Sequence, residues 1–289
     1  MTVFVTLAGG RVGTELMRQL SEQGIQARGG VRNVSRVHAM QPSADYVRFD
    51  YEDPTSFAGA FDGVDALFLA SPREDFPNTY IQGAAESARA AGVRRVVLLS
   101  ALGVDKMDAS MPPRQLELYV EQSWPEWTIL RPNSFMQNYA TMFAASILHG
   151  DAIVEAAADA TTAFIDIRDL AAVAVEALVK PGHHAKGYTL TGQSARHRND
   201  VAAAIGAATG RDIRYIALDD DAFHAALIGQ GMPGEYAHKL VELYRMTRSP
   251  LYNGVVTDDV HQILGRAPIS LEQFARDYRE AWLPAGQQA

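Results

Sequence analysis

Three observations predict an α/β fold, a parallel sheet covered by helices on both faces. Short, mostly apolar runs recur through the first half, at Val3–Leu7, Ala66–Ala70, Val96–Ser100 and Trp127–Arg131. Runs of that length without polar alternation suit strands buried on both faces. Segments with helical apolar spacing separate them, and strands alternating with helices at this pitch imply parallel pairing. A glycine-rich turn joins the first run to the first helical segment.

In chain order, Val3–Leu7 is expected to be a strand. Gly13–Gln23 reads as a helix, with Leu16, Met17 and Leu20 on one face and Gly24 as its C-terminal stop. Strands are predicted at Gln26–Val31 and Tyr46–Phe49. A short helix at Pro54–Phe61 has Asp53 in the N-cap position. Ala66–Ala70 is the fourth strand, Thr79–Ala91 a helix ended by Gly92, and Val96–Ser100 the fifth strand. Arg114–Glu121 is helical and Trp127–Arg131 is the sixth strand.

The second half is less regular. Helices are expected at Phe135–His149, Asp169–Val179, Asn199–Thr209 and Leu271–Trp282, with a broken helical stretch from Asp221 to Tyr244. Strands are expected at Ala163–Ile167, Gly187–Leu190 and Ile213–Ala217. No repeat, low-complexity block or linker is visible.

The 289 residues allow one large domain or two modest ones. With 47% hydrophobic and 21% charged residues, the composition is that of an ordinary globular chain. There is no cysteine, which excludes disulfides, thiolate zinc sites, iron–sulfur clusters and a cysteine nucleophile. The formal charge of −8 argues against nucleic acid as a partner. No basic leader or run of ~18 apolar residues is seen, so neither export nor a membrane is expected and a cytoplasmic location follows. His183-His184 lack further ligands at suitable spacing, and Asp219–Asp221 reads as a helix cap, so no metal is expected.

The turn Thr6-Leu-Ala-Gly-Gly-Arg-Val-Gly13 lies between a strand and a helix. In that context a glycine turn presents backbone N–H groups and a helix N-terminus to a pyrophosphate, as in Rossmann-type doubly wound sheets. Gly10 and Gly13 have the spacing of the last two glycines of G-x-x-G-x-x-G, but Leu7 stands where the first belongs. The second strand leads into Arg32 where an NAD-type site carries an acidic residue. With Arg11 in the glycine turn, Arg32 favours a 2′-phosphate and hence NADP(H), with NAD(H) left open. The expected organisation is a dinucleotide-binding core over 1–150 and, over 151–289, a smaller, mostly helical part that caps the substrate. The second part is interleaved with the core and not independent.

The chain resembles the NmrA-like proteins, a group of atypical short-chain dehydrogenases/reductases. The resemblance rests on Val31-Arg-Asn33, Val96-Val-Leu-Leu-Ser-Ala101 and Trp127-Thr-Ile-Leu-Arg-Pro-Asn-Ser-Phe-Met-Gln-Asn138. It continues in Ala163-Phe-Ile-Asp-Ile-Arg-Asp-Leu-Ala171 and Gly187-Tyr-Thr-Leu-Thr-Gly192. It implies cofactor contacts at Thr6, Gly10, Arg11, Val12, Gly13, Arg32 and Asn33, with Asp50 and Tyr51 near the adenine. Ala70, Ser71 and Pro72 would pass the ribose and phosphates, and Ser100, Pro132, Asn133 and Phe135 would flank the nicotinamide. Similar proteins are NAD(P)H-dependent reductases of quinones and other conjugated aromatics, or cofactor-sensing regulators.

Classical members of the wider superfamily use Tyr-x-x-x-Lys to pass a proton. No tyrosine in this chain has a lysine four residues on; Tyr119 is followed by Ser123. Alcohol–ketone chemistry is therefore disfavoured. A quinone needs less help, because its ring stabilises the anion formed by hydride addition, leaving the site to orient and to exclude water. The leading expectation is an NAD(P)H-dependent oxidoreductase acting on a quinone or polycyclic aromatic. The alternatives are a tailoring enzyme for an aromatic natural product, including oxygenation of a hydroquinone-like substrate, and a non-catalytic NAD(P) sensor. Catalytic candidates are Asn133, Tyr139 and Ser100, with Phe135 or Tyr139 as an aromatic platform. Glu117 is read as a structural partner of Arg131. A monomer or homodimer is expected.

Overall fold

A computed structural model describes residues 1–38, 44–73 and 75–284. In chain order the elements are β1 (Thr2–Val5), α1 (Arg11–Glu22), β2 (Gln26–Val31), α2 (Val34–His38), β3 (Asp45–Arg48), β4 (Ala66–Ala70), α3 (Asn78–Ala90), β5 (Arg95–Leu99), α4 (Pro112–Ser123), β6 (Glu126–Pro132), α5 (Ala144–Gly150), β7 (Ala152–Glu155), α6 (Ile167–Val179), β8 (Lys186–Leu190), α7 (Arg198–Thr209), β9 (Arg214–Ala217), α8 (Asp220–Gly229), α9 (Gly234–Arg248), α10 (Asp259–Leu264) and α11 (Leu271–Asp277). They divide into two compact units.

The first unit comprises Met1–Pro132, Ile167–Leu190 and Asp259–Arg266. Its seven strands pair in parallel in the order β3-β2-β1-β4-β5-β6-β8. The order reverses between β1 and β4, the switch point where such sheets bind ligands at their C-terminal edge. α1 forms because Leu16, Met17 and Leu20 fall on one face and are buried. It stops at Gly24, whose φ of 69° a glycine adopts freely. α6, apolar almost all round, packs against α1. One core cluster gathers an aromatic group around Phe4, Phe49, Tyr51, Phe57 and Phe61. Pro54–Phe57 is a single 3₁₀ turn, and Asp53 caps it as expected, accepting from the Thr55 N–H.

The second unit comprises Asn133–Asp166, Thr191–Asp258 and Ala267–Ala289. It has its own core, around Tyr139, Phe143, Phe164, Phe223, Phe274 and Trp282. Its two strands, β7 and β9, pair in parallel. The division differs from the expected boundary at 150. The first unit closes at Pro132 and regains α6, β8 and α10, because α6 covers the sheet and β8 extends it.

Two expected elements are absent. Phe135–His149 is not one helix. Phe135 pairs with Ile165, and Ser134 and Met136 exchange backbone hydrogen bonds with Ile165. A 3₁₀ turn follows at Met136–Asn138, and regular helix begins only at Ala144. Backbone groups committed to an extended partner are lost to a helical ladder. Likewise Ala163–Ile167 is not a strand. Only Ile165 forms a bridge there, and Ile167 already opens α6.

Candidate active site

The C-terminal edge of the first unit's sheet carries most of the expected residues. After β1, Thr6 is buried and tied down. Its Oγ1 donates to the Phe68 carbonyl at 3.0 Å and accepts from the Ala70 N–H at 3.0 Å. Thr6 thus fastens the end of β1 to the end of β4. Leu7 takes a left-handed backbone, φ 52°, and its carbonyl accepts from the Gly10 N–H at 2.8 Å. Leu7 therefore makes the turn a glycine would make. At Gly13 an added Cβ would lie 2.7 Å from Ala8 Cα and closer still to the Leu7 carbonyl oxygen. Helix and turn touch there, so only glycine fits.

Gly10 is the N-cap of α1 and supplies no side-chain oxygen, and the first turn carries no acidic residue. Leading N–H groups of the helix are thus left without an internal anionic partner. A pyrophosphate is the chemistry that fits such an end. Arg11 and Val12 open the helix, with Val12 half-buried. Burial draws the Arg11 guanidinium below its usual pKa.

Across the edge, Arg32 and Asn33 are exposed after β2. Asn33 Oδ1 accepts from the Arg36 N–H at 3.0 Å and fixes the start of α2. Asp50 is half-buried, and its carboxylate accepts from the Glu52 N–H. Tyr51 is not free to meet a ligand with its hydroxyl. It is buried, its hydroxyl donates to the Ala70 carbonyl at 2.8 Å, and burial pushes its pKa far up. Thr6 and Tyr51 together hold Ala70, one at its N–H and the other at its carbonyl. Ser71 Oγ donates to the Arg73 carbonyl at 2.7 Å, and Pro72 is exposed.

At the end of β5, the Ser100 N–H donates to the Leu130 carbonyl at 2.8 Å. Its Oγ donates to Glu117 Oε1 at 2.5 Å. Glu117, on α4, is fully buried. Arg131 of β6 grips it with both arms, Nε to Oε1 at 2.8 Å and Nη2 to Oε2 at 2.9 Å. Arg114, one helical turn before Glu117, adds a bond to Oε2 at 2.7 Å. The expected Glu117–Arg131 pair is therefore present, with Arg114 and Ser100 joined to it. On β8, an added Cβ at Gly187 would fall on the Arg131 guanidinium, 3.0 Å from Cζ. Two signals in the sequence point to these partners: an i, i+3 arginine, and a glycine inside a strand pattern. Pro132 ends β6, and its carbonyl accepts from the Leu102 N–H at 3.0 Å.

The remaining candidates belong to the second unit. Asn133 is 8% exposed, and its Oδ1 accepts from the Ser134 N–H at 2.8 Å. Its Nδ2 has no partner among the described residues. Phe135 is half-buried beside Ile165. Tyr139 is only 1% exposed, packed on Phe143 and Phe164, with its carbonyl accepting from Trp282 Nε1 at 2.8 Å. Tyr139 is thus a core residue and offers no platform for a substrate. The turn at Met136–Asn138, standing where a helix was expected, directs it inward. Burial and the nearby Glu155 carboxylate both push its hydroxyl pKa up. Glu155 pairs with Arg198 at 2.9 Å, both buried. That pair gave no signal in the sequence, because its members lie 43 residues apart with nothing periodic between them.

A family model described as NAD(P)H-binding matches residues 8–181, which take in the glycine turn from Ala8 onward, β2 to β7 and α6. The chain belongs to this NAD(P)H-binding family. It is similar to the NAD(P)H azoreductase of Xenophilus azovorans, at 31% identity over 286 residues, covering 97% of this chain and 99% of the relative. It is also similar to quinone oxidoreductase 2 of Escherichia coli K12, at 29% identity over 216 residues, covering 73% of this chain and 75% of the relative. In fold it matches the triphenylmethane reductase of Citrobacter sp. with a TM-score of 0.84 at 19% identity, over 97% of this chain and 100% of that one. The chain is an NAD(P)H-dependent oxidoreductase of the NmrA-like group. Among the described residues no helix is long and apolar enough to cross a membrane. No group of three or more His, Asp or Glu side chains among them could hold a metal ion.

Proposed function

We propose that the chain reduces a conjugated aromatic acceptor, a quinone or an azo compound, with NADPH as the preferred reductant. The observation that carries the cofactor half is the uncapped N-terminus of α1 behind a turn too tight for any side chain at Gly13. We assign the pyrophosphate to that helix end, the 2′-phosphate to Arg32, and the adenine side to Asn33 and Asp50. Thr6 and Tyr51 act behind the site by fixing Ala70. The nicotinamide then falls on the β4–β5 side of the switch point, near Ser71 and Ser100. When bound, NADPH supplies a hydride.

The residues present suit an acceptor that needs orientation more than acid catalysis. With no Tyr-x-x-x-Lys pair in the chain, a quinone that takes hydride and then a proton from solvent fits better than a simple ketone. The names of the azoreductase and quinone reductase relatives support the same class. The first unit is assigned to the dinucleotide and the second to substrate selection.

The test is NADPH oxidation by the purified protein with menadione and with a sulfonated azo dye. Acceleration by either supports the reading. NADPH binding seen by fluorescence, with no acceleration across a panel of both classes, would overturn the assignment of a quinone or azo acceptor.

A further inference from the structure

The Glu117 carboxylate has about four lone-pair sites, and four contacts occupy them. Oε1 takes Ser100 Oγ at 2.5 Å and Arg131 Nε at 2.8 Å. Oε2 takes Arg131 Nη2 at 2.9 Å and Arg114 Nη1 at 2.7 Å. A salt-bridged carboxylate offers no proton, so in the Ser100 contact the serine must be the donor. The Ser100 hydroxyl therefore points its only proton inward, to a residue with no exposed surface. What remains on Oγ is lone pairs, on a half-buried residue at the end of β5.

We propose that Glu117 sets the polarity of Ser100, making Oγ a hydrogen-bond acceptor that reads the carboxamide N–H₂ of the bound nicotinamide. The inference rests on the dinucleotide assignment above. A pyrophosphate on α1 sends one nucleoside toward Arg32 and the other toward β4 and β5, where Ser100 stands. The carboxamide amino group is the strong neutral donor on the nicotinamide ring. Glu117 is a positioning residue. It touches no ligand and acts by holding one proton away from the site.

The experiment compares binding of NADP⁺ and of its 3-acetylpyridine analogue, in which a methyl group replaces the amino group. Wild type should bind the analogue roughly three- to tenfold more weakly, the scale of one neutral hydrogen bond. Ser100→Ala should bind both with the weaker affinity, and Ser100→Thr, which keeps the hydroxyl, should restore the difference. Glu117→Gln should erase it while keeping the preference for NADP⁺ over NAD⁺, which a general structural lesion would not spare. Should Glu117→Gln fail to fold, the Ser100 series decides alone. Persistence of the wild-type difference in Ser100→Ala overturns the proposal. So does a Ser100→Ala effect confined to the KM of amino- or hydroxyquinones, which would make the partner a substrate donor. A wild type that binds both nucleotides equally overturns this proposal only. One that binds neither overturns the dinucleotide assignment as well.

Discussion

Leu7 holds a left-handed backbone at a position where the fold's usual turn has glycine. That conformation costs a non-glycine residue about 1–2 kcal/mol. The side chain offsets part of this by packing, half-buried, on the first unit's core. Leu7→Gly should therefore shift stability by no more than about 1 kcal/mol and leave NADPH binding intact or tighter, as a titration of NADPH fluorescence would show. A clear loss of affinity without unfolding would mean that the leucine itself touches the ligand. Arg32 tests the other end of the site. Arg32→Ala should weaken NADPH binding roughly ten- to a hundredfold and leave NADH nearly unchanged. Equal loss for both cofactors would place Arg32 on a shared group. Residues whose role is set by backbone geometry were legible in the sequence; Gly13 and Asp53 stand where the spacing puts them. Tyr51 and Tyr139 were not, because the sequence carries no sign of which way a side chain turns after a strand end.

Among elements, those built on period were readable. β4 and α1 lie within a residue or two of the expected bounds, since an unbroken apolar run decides the one and an apolar stripe the other. Elements decided by long-range pairing were not. Nothing local marks β7, whose partner β9 is some sixty residues away, or the Phe135–Ile165 bridge that displaces a helix. α8 and α9 show what pairing adds. Asp219 caps α8, accepting from the Ala222 N–H, while Asp220 binds Arg245 and Arg248 of α9, each at 2.7 Å. Hydrogen bonds from these arginines hold the Asp220 carboxyl below its usual pKa. A lowered folded-state pKa gives stability that is present above the unfolded value, near ~3.9, and lost as pH falls through the folded one. The melting temperature of Asp220→Asn should thus lie below wild type at pH 6 and converge on it toward pH 2–3. A constant gap across that range would show that the ion pairs contribute nothing.

Among the described residues each unit carries a core cluster of its own, and the dinucleotide is assigned to the first unit. A ligand that binds only the folded state stabilises it by RT ln(1 + [L]/Kd), about 2.7 kcal/mol at a hundredfold excess over Kd. NADPH should therefore raise the melting temperature more than equimolar NADH. If the two units unfold in separate steps, the shift should appear in the first unit's step alone. Scanning calorimetry resolves both points, and an equal response to the two cofactors would remove the 2′-phosphate preference. Gly187 gives the sheet one more property. It sits on the surface of a terminal strand, where sequence drift is ordinarily free. Yet the space its missing side chain leaves is occupied by the guanidinium that clamps Glu117. Adding one methyl group, Gly187→Ala, should displace Arg131, unlock the Ser100 rotor and blunt discrimination between NADP⁺ and its acetylpyridine analogue. The strand would then be a remote tuning point, from which the cofactor ring could be re-addressed without altering any residue that meets it.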